Sequence, residues 1–375
     1  MTKLKVFRQE LHQFPELSNL EKMTSEKIKD YIQKFKPDLV IDEIGGNGIA
    51  FVFNGKTEGK TIMFRCELDA LPITEKNDLP YSSVFNGTAH LCGHDGHMAI
   101  MAGLAEKLSQ EPPKKGKVVL LFQPAEETGE GAERVINDIK FKAIAPDYIF
   151  GLHNLPGFEK NSIIISKKHF ASASKGMIIQ LYGKTSHAAE PENGNSPAMA
   201  VSALLKGLTF LPANIHNLKN FALITVIHAR LGEKAFGTSP GYAEVMATLR
   251  AFEDQDMKNL CLRAEELVNT EKTKEKLETK ISYTEDFPAL INNTECAEII
   301  NKIARNNKYN VIEIESSFKW SEDFAHFTRQ YKGAFFGVGA GIEHPQLHNP
   351  DYNFNDDILA TGINMLDGLY KQFTS

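Results

Sequence analysis

Residues 117–127 read Lys117-Val118-Val119-Leu120-Leu121-Phe122-Gln123-Pro124-Ala125-Glu126-Glu127. The Val/Leu/Phe run is expected to be a buried strand, so the diacid beyond Pro124 must lie at the rim of the sheet that strand joins. Outward from it the same texture repeats. Residues 61–68 and 148–152 are further strand-like runs, and 98–108 and 131–139 carry helical spacing between them. Strands alternating with helices predict an α/β fold with a mostly parallel sheet and helices on both faces. In such sheets functional side chains gather beyond the carboxyl ends of the strands, and Glu126, Glu127 and His153 each follow an apolar run.

Further out, residues 1–36 read as helical with a break at Pro15, and 40–53 alternate about Gly45-Gly46-Asn47-Gly48 like two strands and a turn. From about residue 174 the texture changes to strand (177–182), helix, strands (221–228 and 243–252), long helix (255–268) and strand (280–283). This is a split βαβ-like unit complete in itself. Its first helix is expected to start with Ser196 as N-cap and Pro197 at the first helical position. The chain is therefore expected to hold a main domain, 1–174 with 285–375, and an inserted smaller α+β domain, 175–284. A length of 375 residues suits two domains at ~150 residues each.

Composition excludes several classes. A net charge of −6 gives no basic footprint for nucleic acid. No apolar stretch approaches the ~20 residues of a membrane helix, and the charged amino terminus lacks the apolar core of a secretory signal. The expectation is a cytoplasmic protein with no nucleic-acid or membrane partner. Four cysteines are too few for a disulfide scaffold. Cys66, Cys261 and Cys296 fit strand or helical apolar patterns and read as core. Cys92 does not.

Cys92 lies in His90-Leu91-Cys92-Gly93-His94-Asp95-Gly96-His97. One thiol and three imidazoles among glycines have the make-up of a metal site, with Cys92 and His94 on a glycine-flanked loop. Taken alone, such a Cys-x-His pair is more often an ordinary polar loop than a metal site, because short motifs recur without a ligand. The diacid sharpens the reading, since one carboxylate can bind metal while its neighbour takes a proton from water. Thiolate, imidazole and carboxylate together suit zinc, and also Mn²⁺, Co²⁺ or Ni²⁺.

Five stretches in order, Arg65-Cys66-Glu67-Leu68-Asp69-Ala70-Leu71-Pro72, the Cys92 segment, Gln123-Pro124-Ala125-Glu126-Glu127, Gly151-Leu152-His153 and Leu347-His348-Asn349-Pro350, resemble the aminoacylase-like metallo-amidohydrolases. That group includes N-acyl-amino-acid, hippurate and auxin-conjugate hydrolases. The resemblance spans nearly the whole chain. It implies a zinc-exopeptidase-like catalytic domain whose ligands to two divalent metal ions are Cys92, His94, Glu127, His153 and His348, with the Cys92 sulfur bridging and Glu126 as general base. It further implies that the inserted domain is a lid and a homodimerisation surface, and that His187 of Gly183-Lys184-Thr185-Ser186-His187-Ala188-Ala189-Glu190-Pro191 donates to the oxyanion. Asp69 and Asp95 would orient ligands. The chain departs from the family at Glu67, where an aspartate is usual, and at Gly237 in Phe236-Gly237-Thr238-Ser239-Pro240, where a lid asparagine is usual. The expected reaction is metal-dependent hydrolysis of a small-molecule amide, an N-acyl amino acid or a related conjugate. Its rivals are a dipeptidase on the same centre, an amidase with Cys92 as nucleophile, and a binding protein that retains only the fold.

Overall fold

The computed structural model describes residues 1–215, 218 and 220–374. In chain order the strands of its two main sheets are β1 (Leu39–Ile44), β2 (Gly48–Asn54), β3 (Thr57–Glu67), β4 (Lys115–Gln123), β5 (Tyr148–Pro156) and β6 (Ile163–Ile165). They continue with β7 (Ala173–Tyr182), β8 (Ala222–Leu231), β9 (Tyr242–Ala251), β10 (Glu278–Phe287), β11 (Val311–Glu313) and β12 (Lys332–Gly341). The helices are α1 (Thr2–Gln13), α2 (Lys22–Ile32), α3 (His94–Gln110), α4 (Gly131–Asn137), α5 (Ala198–Phe210), α6 (Asp254–Lys274), α7 (Thr294–Asn306), α8 (Ala325–Thr328) and α9 (Leu359–Thr374).

Two units account for these elements, one of residues 1–170, 290–316 and 323–375, the other of 171–289 and 317–322. The first holds an eight-stranded sheet in the order β1-β2-β4-β3-β5-β12-β6-β11. Its central strands β4, β3, β5 and β12 run parallel, and β1, β2 and β6 add antiparallel pairings toward the edges. The sheet is mostly parallel at its centre, as the alternation of apolar runs and helices predicts.

Side-chain alternation divides the sheet between two cores. Ile62, Phe64 and Cys66 of β3 and Val118, Leu120 and Phe122 of β4 point into one cluster, with Leu4, Phe7, Met98, Leu104, Ile300 and Leu366 from α1, α3, α7 and α9. Phe335 of β12 points the other way and meets Phe324, which meets Phe327 of α8, which in turn meets Phe141. Helices therefore cover both faces. Each fully buried Leu, Ile or Phe contributes about 1.5–3 kcal/mol, so these two layers fix the sheet that carries the loops.

The second unit holds a four-stranded antiparallel sheet in the order β8-β9-β7-β10. Inward residues Met177, Ile179, Val245, Ala247 and Leu249 pack against Leu204 and Leu208 of α5 and Leu260, Ala264 and Val268 of α6. Helix α5 begins one residue later than the capping pattern predicts, with Pro197 as its cap position and the Ser196 hydroxyl accepting from the Ala198 N–H at 3.3 Å. Cys261 is only partly buried, because it lies at the edge of the α6 apolar stripe, whereas Cys66 and Cys296 are core. Among the described residues no helix is long and apolar enough to cross a membrane.

Candidate metal centre

Three chain segments meet where the parallel strands end. The first is the entry to α3. Sequence spacing suggests a loop for Cys92 and His94, but the helix starts at His94 itself, with Gly93 as its N-cap at φ 94°. That left-handed conformation is one glycine adopts freely, and it turns the chain sharply enough for Cys92 to lie just outside the helix and His94 on its first turn. The second segment follows β4, where Ala125 at φ 52° turns the chain so that Glu126 and Glu127 flank the crevice. The third is β5, which continues beyond 152 to Pro156 and carries His153 within the strand.

Hydrogen bonds select the ring nitrogens. His94 Nδ1 donates to the Asp69 carbonyl oxygen at 2.8 Å and His153 Nδ1 donates to that of Asn154 at 2.8 Å. In both rings this leaves Nε2 on the side of the other donor atoms, placed to bind a cation. His153 Nε2 stands 3.4 Å from Cys92 Sγ. His94 Nε2 stands 3.8 Å from Glu127 Oε1 and 4.0 Å from Glu126 Oε2. His348, half exposed and at φ 65°, reaches Glu127 Oε2 at 3.7 Å.

Donor atoms around a tetrahedral zinc, with bonds of 2.0–2.3 Å, lie about 3.5 Å apart, so these separations match a ligand shell. The donor atoms of Cys92, His94 and His153 all lie within 4.8 Å of one another, and so do those of Cys92, Glu127 and His348. Cys92 belongs to both groups. Buried His94 Nε2 has no hydrogen-bond partner among the described residues, an arrangement that costs free energy unless something binds there. Burial opposes charge on His94, yet the Asp69 carboxylate beside its ring and the charges of Glu67 and Glu127 outweigh it and push its pKa up to about 10. The carboxylates thus create a demand for positive charge at this point, and the residues present fit divalent metal ions.

Burial first, then the charges of Glu127 and Glu126, push the Cys92 thiol well above its usual range. A thiol so placed is a poor nucleophile, which weighs against the thiol-amidase alternative.

Asp69 stands where the expected orienting role needs it: its Oδ2 accepts from the Glu127 N–H at 2.9 Å and from the Ser18 hydroxyl at 2.7 Å. Asp95 does not. Successive helical residues diverge by about 100°, so Asp95 points away from His94 and its Oδ2 is taken by Arg8 at 3.1 Å and His12 at 2.9 Å. His97, three residues on, returns to the His94 face, with ring centroids 5.7 Å apart. The sequence contained that signal in the i, i+3 spacing once the helix is known to start at His94. Glu67 divides its two oxygens between partners, Oε1 accepting from the Arg65 guanidinium and Oε2 meeting the His97 ring. Asp323, Gln123 and Asn154 complete a polar layer beneath the donors that sequence reading did not foresee.

In the second unit His187 pairs with Thr238 in a two-stranded ladder and is exposed. The Ala189 N–H donates to its Nδ1 at 3.1 Å, which leaves Nε2 as the ring's donor nitrogen. Gly237 has no atom near the place a Cβ would take, and the Phe236 ring beside it is fully exposed.

Residues 63–372 match the profile of Peptidase family M20/M25/M40. The chain belongs to this family. Two relatives are enzymes of Bacillus subtilis strain 168: N-acetyl-L-cysteine deacetylase, 31% identical over 94% of this chain and 83% of that one, and N-acetyldiaminopimelate deacetylase, 28% identical over 98% of each. The Bacillus subtilis YXEP protein, a dinuclear metal binding peptidase of the M20 family, has the same fold, with a TM-score of 0.82 over 98% of this chain and 97% of that one at 24% identity.

Proposed function

We propose that this M20 protein hydrolyses the amide bond of N-acyl amino acids or related conjugates at a centre of two divalent metal ions held by Cys92, His94, Glu127, His153 and His348. The observation that supports it most is that Cys92 belongs both to the group with His94 and His153 and to the group with Glu127 and His348, so that its sulfur could serve two ions. When bound, the ions supply Lewis-acid polarisation of water and of the scissile carbonyl. Glu126, beside the ligand carboxylate and accepting from the Asp323 N–H at 3.3 Å, takes the proton of the attacking water and passes it to the leaving amine. The family resemblance gives His187 the role of donor to the oxyanion, for which Nε2 is the nitrogen left once Nδ1 accepts from the Ala189 N–H. Both named Bacillus relatives remove acetyl groups from amino-acid nitrogen, which favours short acyl substrates.

The same reading includes a cytoplasmic setting and a homodimer formed through the second unit. All four cysteines are free, in keeping with a reducing compartment. Edge strand β8 leaves its outer backbone unpaired in the sheet and exposes Leu223, Ile227 and Leu231, an edge that suits pairing with a second copy.

The deciding experiment is a panel of N-acetyl, N-benzoyl and dipeptide substrates run with chelated protein, with Zn²⁺, Mn²⁺, Co²⁺ or Ni²⁺ restored, and after thiol blocking. Acyl-amino-acid hydrolysis should vanish on chelation and return with metal. Activity indifferent to chelator would overturn the reading, and turnover of dipeptides alone would move it to a dipeptidase.

A further inference from the structure

We propose that Arg65 is a positioning residue that holds the base Glu126 and the ligand His153 in one geometry, an inference that rests on the hydrolase reading above. Arg65 lies on the face of β3 opposite Phe64 and Cys66, and it is wholly enclosed. Each arm of its planar fork has its own acceptor. Nε donates to Gln123 Oε1 at 2.8 Å, one terminal nitrogen donates to Glu67, and the other donates to Asp323.

Two chains of contacts leave this guanidinium. Along the first, Glu67 Oε2 meets His97 Nδ1 at 2.7 Å, and His97 Nε2 meets Asn154 Oδ1 at 2.6 Å. The Asn154 backbone carbonyl then takes the Nδ1 proton of His153 at 2.8 Å, which leaves His153 Nε2 pointed at Cys92. Along the second, Asp323 is held by Gln123 Nε2 at 2.8 Å and by the Ala132 N–H at 2.9 Å. Its own backbone N–H donates to Glu126 Oε1 at 3.3 Å. One buried cation thus ties the loop carrying the base to the strand carrying a ligand.

The chemistry requires arginine. A lysine ammonium is a single point charge and cannot present three donors in one plane toward three acceptors. Glu67 belongs to the same device, because its one carboxylate spans both Arg65 and His97. Supporting groups of this kind typically change metal affinity or activity by 10–100-fold when lost.

The two arms predict separable effects. Full-length Glu67→Gln, Glu67→Asp and Asp323→Asn proteins are titrated with Co²⁺, following the thiolate-to-cobalt absorption band, and then assayed for kcat and KM. Glu67→Gln is expected to lose cobalt affinity by about 10–100-fold, and Glu67→Asp, which keeps the charge but loses the span, by less. Asp323→Asn is expected to keep cobalt affinity and KM within about twofold while kcat falls about 10–100-fold, because only the base is misplaced. Arg65→Lys, which retains a cation, should move both readouts together and serves where a single-arm variant does not fold. Unchanged cobalt affinity in both Glu67 variants, unchanged kcat in Asp323→Asn, or an unaltered Arg65→Lys protein overturns the proposal. Wild-type protein that takes up no cobalt or hydrolyses no acyl amino acid overturns the hydrolase reading first and this inference with it.

Discussion

Replacing Gly93 by alanine tests whether one backbone conformation builds the site. Two costs add. The residue sits at φ 94°, ψ 14°, where an L side chain is destabilised by about 1–2 kcal/mol. A Cβ built there also lies 2.3 Å from Asn154 Oδ1 and 2.8 Å from Tyr352 Oη. Those atoms cannot simply retreat, because Asn154 bonds Tyr352 at 2.6 Å and His97 at 2.6 Å within the interior. Breaking one such buried hydrogen bond costs about 1–3 kcal/mol, so the total is about 2–5 kcal/mol. Gly87 supplies the control: at φ 82° with nothing within 4 Å of its Cβ position, Gly87→Ala should show only the backbone part, about 1–2 kcal/mol. Urea unfolding of both variants beside wild type isolates the steric part as their difference. Because Gly93 separates Cys92 from His94, Gly93→Ala should also bind metal more weakly, measured by competition with a chromogenic chelator, while Gly87→Ala should not. Equal destabilisation of the two variants, or unchanged metal affinity in Gly93→Ala, would refute the account of how α3 starts.

Further outcomes follow from the same geometry. Glu126→Gln should bind metal normally by elemental analysis yet lose about 10²–10⁴ in kcat, and near-normal turnover would remove Glu126 from the base role. Cys92→Ala should weaken both ions at once in a calorimetric titration, whereas His348→Ala should spare one, since only Cys92 belongs to both donor groups. The pKa of His12 is raised from 6.5 to about 9: burial opposes its charge, but hydrogen bonds to Asp95 and Glu75 prevail. A raised folded-state pKa contributes stability that is complete below pH 6.5 and is lost as pH climbs through about 9, amounting to about 3 kcal/mol. Denaturation midpoints between those pH values should fall for wild type and stay level for His12→Gln; parallel curves would contradict the assignment.

Much of the fold was legible because burial imposes a period on the sequence. The Val118–Phe122 run, the 61–68 alternation and the Cys296, Ile300 and Ile303 stripe each announce an element whose apolar side must be covered, and the structure covers them. The candidate metal-donor residues are legible for a different reason: Cys, His and paired Glu among glycines are chemically conspicuous wherever they stand. Boundaries were less legible. The glycine neighbours of His94 suggest a loop, while the helix begins there.

The sequence by itself determined the order of strands and helices, the donor types and their neighbours along the chain, since propensity, periodicity and side-chain chemistry are local properties. Only the tertiary structure decided that Asp95 turns to Arg8 and His12, that Glu67 reaches His97, and that Asp323 returns from 200 residues beyond Gln123 to meet Arg65. These are contacts between residues distant in sequence, set by which faces of a helix and a strand point at each other after the sheet has packed, and no local pattern encodes them.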